Sequence, residues 1–222
     1  MRKFLTLCFL GVQVYGAAQV VDTTYFNTYY EQKVTVYHTL PKTKGSIVFL
    51  GDSITDIGEW SALWHNAQVM NQGISSDNTL GVLARLDAVI RLQPQKLFIM
   101  IGINDIARNT PDTVILANYE KIVARMRSAA PQTKIFIQSV LPTNNTFTSF
   151  PRHQNKEAHI RRVNEGLQQL AARTGCTYID LHSRFTDAQG RLATAYTNDG
   201  LHLTGRGYAL WKQIISEKGY VR

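Results

Sequence analysis

Residues 46–55 read Ser-Ile-Val-Phe-Leu-Gly-Asp-Ser-Ile-Thr, and the order of their parts decides the fold. Ile47 to Leu50 is an unbroken apolar run. A strand with one face in water alternates apolar and polar residues, whereas a continuous run marks a strand covered on both faces, as parallel strands are. Gly51-Asp52-Ser53 then supplies turn chemistry. Trp60, Leu63 and Trp64 follow at helical spacing. The unit is therefore a buried strand, a polar turn and a helix.

The same unit recurs downstream. Gln68-Val69-Met70 is a weaker strand, and Leu80, Leu83, Leu86 and Ile90 form one helical stripe. Leu97 to Ile101 is a strong buried strand. Thr110-Pro111-Asp112 starts a helix that runs over Val114 to Met126. Ile135 to Val140 is the next strand, His159 to Ala172 the next helix, Tyr178 to Leu181 the last strand and Thr204 to Ser216 the closing helix. Five alternations of this kind imply an α/β fold, a mainly parallel five-stranded sheet with helices on both faces. In such sheets ligands bind beyond the carboxyl ends of the strands.

Upstream lie two different segments. Residues 19–45 form an aromatic-rich arm expected to pack on the main body. Phe26, Tyr30, Tyr37 and Leu40 fit a helical stripe, while Val34-Thr35-Val36 argues for a strand, so the pattern leaves both open. Residues 1–18 read as a signal peptide, with Arg2 and Lys3, an uncharged stretch from Phe4 to Val14, and small residues at Gly16-Ala17-Ala18 before Gln19. The expectation is a secreted protein, periplasmic or extracellular, with no stable membrane insertion once that segment is removed, because the apolar run is too short to span a bilayer. Its removal leaves Cys176 as the one cysteine, which excludes an intramolecular disulfide.

The chain carries +8 formal charge, and +6 without Arg2 and Lys3. Its basic residues are scattered rather than set in a stripe with stacking aromatics, so no nucleic-acid partner is expected. Neither G-x-x-x-x-G-K-[ST] nor G-x-G-x-x-G follows a strand, which argues against a nucleotide-binding domain. The G-x-S-x-G elbow is also absent, since Thr55 stands where its second glycine would be.

Three polar segments stand at strand ends, where a parallel sheet collects reactive groups: Gly51 to Thr55, Asn71 to Ser75 and Gly102 to Asp105; a fourth, Asp199 to His202, comes just before the last helix, and only folding can bring it to the same rim. Ser53 at a strand-to-helix turn is a candidate nucleophile, given a base to take its proton. His202 is the candidate base, and Asp199, three residues earlier, can turn back onto its Nδ1. Gly73 and Asn104 suit an oxyanion hole, one through a backbone N–H that can approach closely, the other through its amide. Each of these taken alone is also an ordinary turn or cap residue. His182, with Asp180 two residues before it, is a second candidate base, and Asp180, His182 and His202 a candidate metal set. They lack the clustered short spacing metal sites use, so no metal and no cofactor is expected.

Together, Gly51-Asp52-Ser53, Gly73, Gly102-x-Asn104-Asp105 and Asp199-x-x-His202 resemble the four blocks of the SGNH hydrolases, also called the GDSL esterase/lipase family. The resemblance runs from Ser46 to Ile215. It implies a flavodoxin-like three-layer α/β/α sandwich over residues 46–222. It implies Ser53 as nucleophile, Asp199 and His202 for acid–base work, and Ser53, Gly73 and Asn104 as oxyanion donors. Asp-Gly-Leu-His-Leu-Thr-Gly at 199–205 is similar to the small acetylesterase branch, which includes sialate O-acetylesterases and subunits like platelet-activating-factor acetylhydrolase. The expected substrate is a small-molecule or glycan ester, with acetyl as the acyl group. The rival readings are a lysophospholipase or thioesterase of the same family, and a non-catalytic carbohydrate-binding module on the same fold. The oligomeric state is left open.

Overall fold

The computed structural model describes residues 23–221, so the expected signal peptide lies outside the described residues. The five strands are β1 (Ile47–Gly51), β2 (Val69–Gly73), β3 (Lys96–Met100), β4 (Lys134–Gln138) and β5 (Thr177–Ile179). They form one sheet in the order β2-β1-β3-β4-β5, and every pairing is parallel. The chain thus leaves β1, crosses to β2 on one side, and returns to β3 on the other. All five carboxyl ends share one rim, and the strand order reverses beside β1.

The helices in chain order are α1 (Thr28–Thr39), α2 (Ser53–Asp56), α3 (Trp60–Leu63), α4 (Thr79–Ala84), α5 (Leu86–Leu92), α6 (Ile103–Ala107), α7 (Asp112–Ala129), α8 (Glu157–Thr174), α9 (His182–Phe185) and α10 (Gly205–Glu217). On one face of the sheet the phenylalanines of three strands stand in register, Phe49 opposite Phe98 and Phe98 opposite Phe136. Their rings stack at 4.8 and 4.4 Å. Trp60 of α3 stacks on Phe49 at 4.1 Å, and Trp211 of α10 meets Trp60 edge-on at 4.8 Å. Aromatic pairs of this geometry contribute roughly 0.5–1.5 kcal/mol each beyond their burial. The alternate strand residues, Val48, Leu50, Leu97, Ile99 and Ile137, are buried on the opposite face. There α7 packs against α4, α5 and α8. The three-layer sandwich follows from that two-sided burial.

The structure departs from the sequence pattern in two places and decides a third that the pattern left open. The stripe from Leu80 to Ile90 is two helices rather than one, broken at Arg85. That side chain is buried, where Nε meets Asp77 Oδ2 at 2.7 Å and Nη2 donates to Gly51 O at 3.1 Å. A buried ion pair broken on one side costs about 3–5 kcal/mol, more than a helix gains from one continuous turn. β5 ends at Ile179, because Leu181 turns helical and the N–H groups of Leu181 and His182 donate to Ser139 Oγ. The arm settles as a helix, α1. Asn27 Oδ1 caps it by accepting from the Tyr30 N–H, and Tyr30 and Tyr37, two turns apart, bury their rings against the body.

Candidate active site

α2 begins on Ser53, directly at the end of β1. Asp52 caps it, its Oδ1 accepting from the Ile54 N–H at 3.0 Å. The turn is tight: a Cβ on Gly51 would lie 2.3 Å from Met100 O. This brings the Ser53 side chain to the rim beside β1, where the strand order reverses.

His202 reaches the same point from a loop before α10. Its Nε2 lies 2.9 Å from Ser53 Oγ, and its Nδ1 lies 2.7 Å from Asp199 Oδ2. The other oxygen, Asp199 Oδ1, accepts from the N–H groups of Leu201 and His202, each at 2.8 Å. Gly200 makes this loop possible, with a φ of +83° and no room for a Cβ against Asn144 O. Burial alone would raise the Asp199 carboxyl, but the hydrogen bonds from the His202 ring and the two N–H groups hold it below the usual carboxylate range. An ionised carboxylate on Nδ1 leaves Nε2 as the lone pair facing the serine. Phe150 packs edge-on against the His202 ring at 4.9 Å.

Asn104 sits in α6, just after β3. Its Nδ2 donates to Asp77 O at 2.8 Å, and its Oδ1 faces His153 Nε2 at 3.0 Å. One of its two amide hydrogens stays available to the rim. Asp105 turns inward, accepting from the Thr79 N–H and hydroxyl. Burial pushes its carboxyl up to about 6.

Gly73 is where the expectation needs correction. Its N–H donates to Asn71 Oδ1 at 2.8 Å and is therefore not available to a substrate. Its missing side chain serves packing instead, because a Cβ would lie 2.2 Å from the backbone nitrogen of Asp56. The carbonyl of Gly73 accepts from the Tyr37 hydroxyl of α1. Neither the Ser53 nor the Ser76 N–H meets an acceptor among the described residues. Ser76 has a φ of +68°, uncommon for a residue with a side chain. Its neighbours are anchored on either side: Ser75 N–H and Oγ donate to Asp56 Oδ2 in α2, and Asp77 O accepts from Asn104. Ser76 thus stands between the nucleophile's helix and the asparagine. Sequence reasoning favoured the glycine because glycine needs no anchoring to come close. The signal for Ser76 is a backbone angle, which composition does not carry.

His182 lies away from this group. It faces Thr186 Oγ1 at 3.4 Å and lines a cavity of about 780 Å³ beside β5 with Asp180 and Arg161. Among the described residues no three His, Cys, Asp or Glu side chains are grouped to hold a metal ion, and no helix is long and apolar enough to cross a membrane.

The geometry has counterparts in known proteins. Residues 49–210 match the model of the GDSL-like lipase/acylhydrolase family. The alpha2 subunit of platelet-activating factor acetylhydrolase IB from Rattus norvegicus is 28% identical over 169 residues, which cover 73% of this chain and 71% of the relative. A Streptococcus pneumonia protein named for platelet activating factor superposes with a TM-score of 0.79 at 28% identity, over 86% of this chain and 92% of that one. The acetylxylan esterase Axe2 of Geobacillus stearothermophilus shares the fold at a TM-score of 0.66 and 20% identity, over 81% of this chain and 97% of its own.

Proposed function

The chain belongs to the GDSL-like lipase/acylhydrolase family and is an ester-hydrolysing enzyme, and from that premise we propose that it is a secreted serine esterase that removes acetyl groups from carbohydrate alcohols, sialate or another sugar. The observation that carries the chemistry is the unbroken line Asp199 to His202 to Ser53, at 2.7 and 2.9 Å.

In this reading Ser53 Oγ attacks the acyl carbon while His202 Nε2 takes its proton. The carbonyl oxygen becomes an oxyanion, held by the N–H groups of Ser53 and Ser76 and the free amide hydrogen of Asn104. Each such donor is worth about 3 kcal/mol in the transition state. Collapse breaks the bond to the alcohol, which leaves with the proton from His202. A water then attacks the acyl-Ser53 ester, again giving its proton to His202, and the acid leaves as Ser53 is reprotonated. Asp199 holds the ring and stabilises its charged form throughout.

Two observations support a small acyl group. The alpha2-subunit relative is named an acetylhydrolase, and Axe2 is named an acetylxylan esterase. Two cavities of about 780 and 590 Å³ among the described residues are lined by residues other than Ser53 and His202, and a small acyl group needs neither of them. The acetylxylan neighbour favours a sugar as the alcohol, while the acetylhydrolase relatives favour a phospholipid as a second reading. A chain-length series of nitrophenyl esters, run with acetylated sugars and an acetylated ether phospholipid, tests both. Acetyl should be cleaved faster than octanoyl, the sugars faster than the phospholipid, and Ser53→Ala should be inert at wild-type Tm. A kcat/KM that climbed steadily to octanoyl, by the roughly 0.8 kcal/mol that each buried CH₂ can contribute, would make it a long-chain lipase instead.

A further inference from the structure

His153 is the one histidine beside the site that the chemistry above does not use. It ends a short 3₁₀ turn, Pro151–His153, in the long connection between β4 and α8. The turn is held from behind: the His153 N–H donates to Phe150 O at 3.0 Å, and Thr143 Oγ1 donates to His153 O at 3.1 Å. Its ring meets Phe150 edge-on at 5.9 Å, and Phe150 in turn packs on His202. Only one ring nitrogen has a partner, Nε2 on Asn104 Oδ1 at 3.0 Å, while Nδ1 is buried without a hydrogen bond among the described residues.

That arrangement fixes the tautomer. Asn104 Nδ2 donates to the Asp77 carbonyl, which can only accept, so the atom facing His153 is the amide oxygen. An amide oxygen only accepts, so Nε2 carries the hydrogen and the buried Nδ1 the lone pair. A second proton on that ring would be buried and would face His202, Arg108, Arg152 and Lys156. Burial first, and then those charges, hold the imidazole down to about 4. His153 is therefore a neutral donor at neutral pH.

We propose that His153 is a positioning residue that locks the amide of Asn104 with its nitrogen toward the oxyanion. The inference rests on the reading of Asn104 as an oxyanion donor. An asparagine amide turned half over has nearly the same shape and would aim an oxygen at the developing negative charge. His153 on the oxygen and the Asp77 carbonyl on the nitrogen permit one orientation only. The hydrogen bond to Oδ1 also draws electron density from the amide, which strengthens the N–H that remains for the substrate.

The test compares His153→Phe, His153→Gln and Asn104→Ala, with kcat and KM measured separately on nitrophenyl acetate. Phenylalanine keeps the ring against Phe150 and removes only the donor, so kcat should fall about tenfold, the scale of one hydrogen bond's net contribution, with KM within about twofold. Glutamine carries an N–H on a side chain of similar reach and should recover part of that loss. The whole pH profile should scale by one factor without a new step. In the Asn104→Ala background, His153→Phe should cost nothing further. A His153→Phe enzyme with wild-type kcat, or a double variant in which the two losses multiply, would overturn the inference. Full activity in Asn104→Ala would instead refute the oxyanion reading on which it stands.

Discussion

At the scale of single residues, the pair Asp199 and His202 shows how spacing becomes geometry. Three residues with a glycine between them make a loop short enough for the carboxylate to reach Nδ1 while its other oxygen holds two backbone N–H groups. Because the two side chains act as one unit, their losses should not multiply. His202→Ala should lose about 10⁴-fold or more in kcat, Asp199→Asn less, and the double variant should match His202→Ala; a double variant far below it would separate their roles. Ser53 and Asn104 are legible as candidates from their places after β1 and β3, Asp199 and His202 from their three-residue spacing just before the last helix. His153 is not, for its partner stands 49 residues earlier and its loop carries no periodicity. Gly73 misled because a buried glycine serves close packing as readily as a free N–H. Only the Asn71 side chain, two residues before it, distinguishes the two uses.

At the scale of elements, the connection from β2 to α4 holds the most chemistry per residue. Its left-handed Ser76 is fixed by Asp56 on one side and Asn104 on the other. A left-handed backbone at a residue with a side chain costs about 1 kcal/mol or more, which glycine does not incur. Ser76→Gly should therefore keep kcat/KM within about twofold at an equal or higher Tm. Gly73→Ala should lower both activity and Tm, since its Cβ collides with the α2 backbone. A Gly73→Ala enzyme of normal Tm and activity would contradict the packing role. The five strands were legible because each is a short apolar run bounded by turn residues. The break at Arg85 was not, since the apolar stripe continues across it and only the buried partner Asp77 decides. In α1, the β-branched residues Val34, Thr35 and Val36 pulled toward a strand, and tertiary contacts of Tyr30 and Tyr37 prevailed.

Across the whole molecule, Asp56 and Asp199 on one side and Asp52 and Asp105 on the other have opposite effects on stability. Asp56 and Asp199 are held low by their hydrogen bonds, so their contribution is present above the unfolded value and lost only in acid. Asp52 is buried at the end of β1, and burial pushes its carboxyl up to about 7 from 3.8. The folded state then binds a proton that the unfolded chain has released, so this contribution is fully present in acid and lost as pH rises from about 4 to about 7. Asp105 adds the same sign over a lower range. Asp52→Asn keeps the oxygen that caps α2 but cannot ionise. The Tm of Asp52→Asn relative to wild type should therefore climb between pH 5 and pH 8. A difference that stayed flat over that interval would place the Asp52 titration elsewhere.

Ser53 and His202 touch across 149 residues of chain. Nearly all the sheet must be paired, and α10 seated on the aromatic face, before a base comes within reach of the hydroxyl. The contact is far from local, and closing the segment between the two residues costs loop entropy. A nascent or half-refolded molecule thus holds an unarmed serine, harmless to any ester it meets. Turnover is in that sense a report of long-range closure, silent until the loop before α10 has met the end of β1.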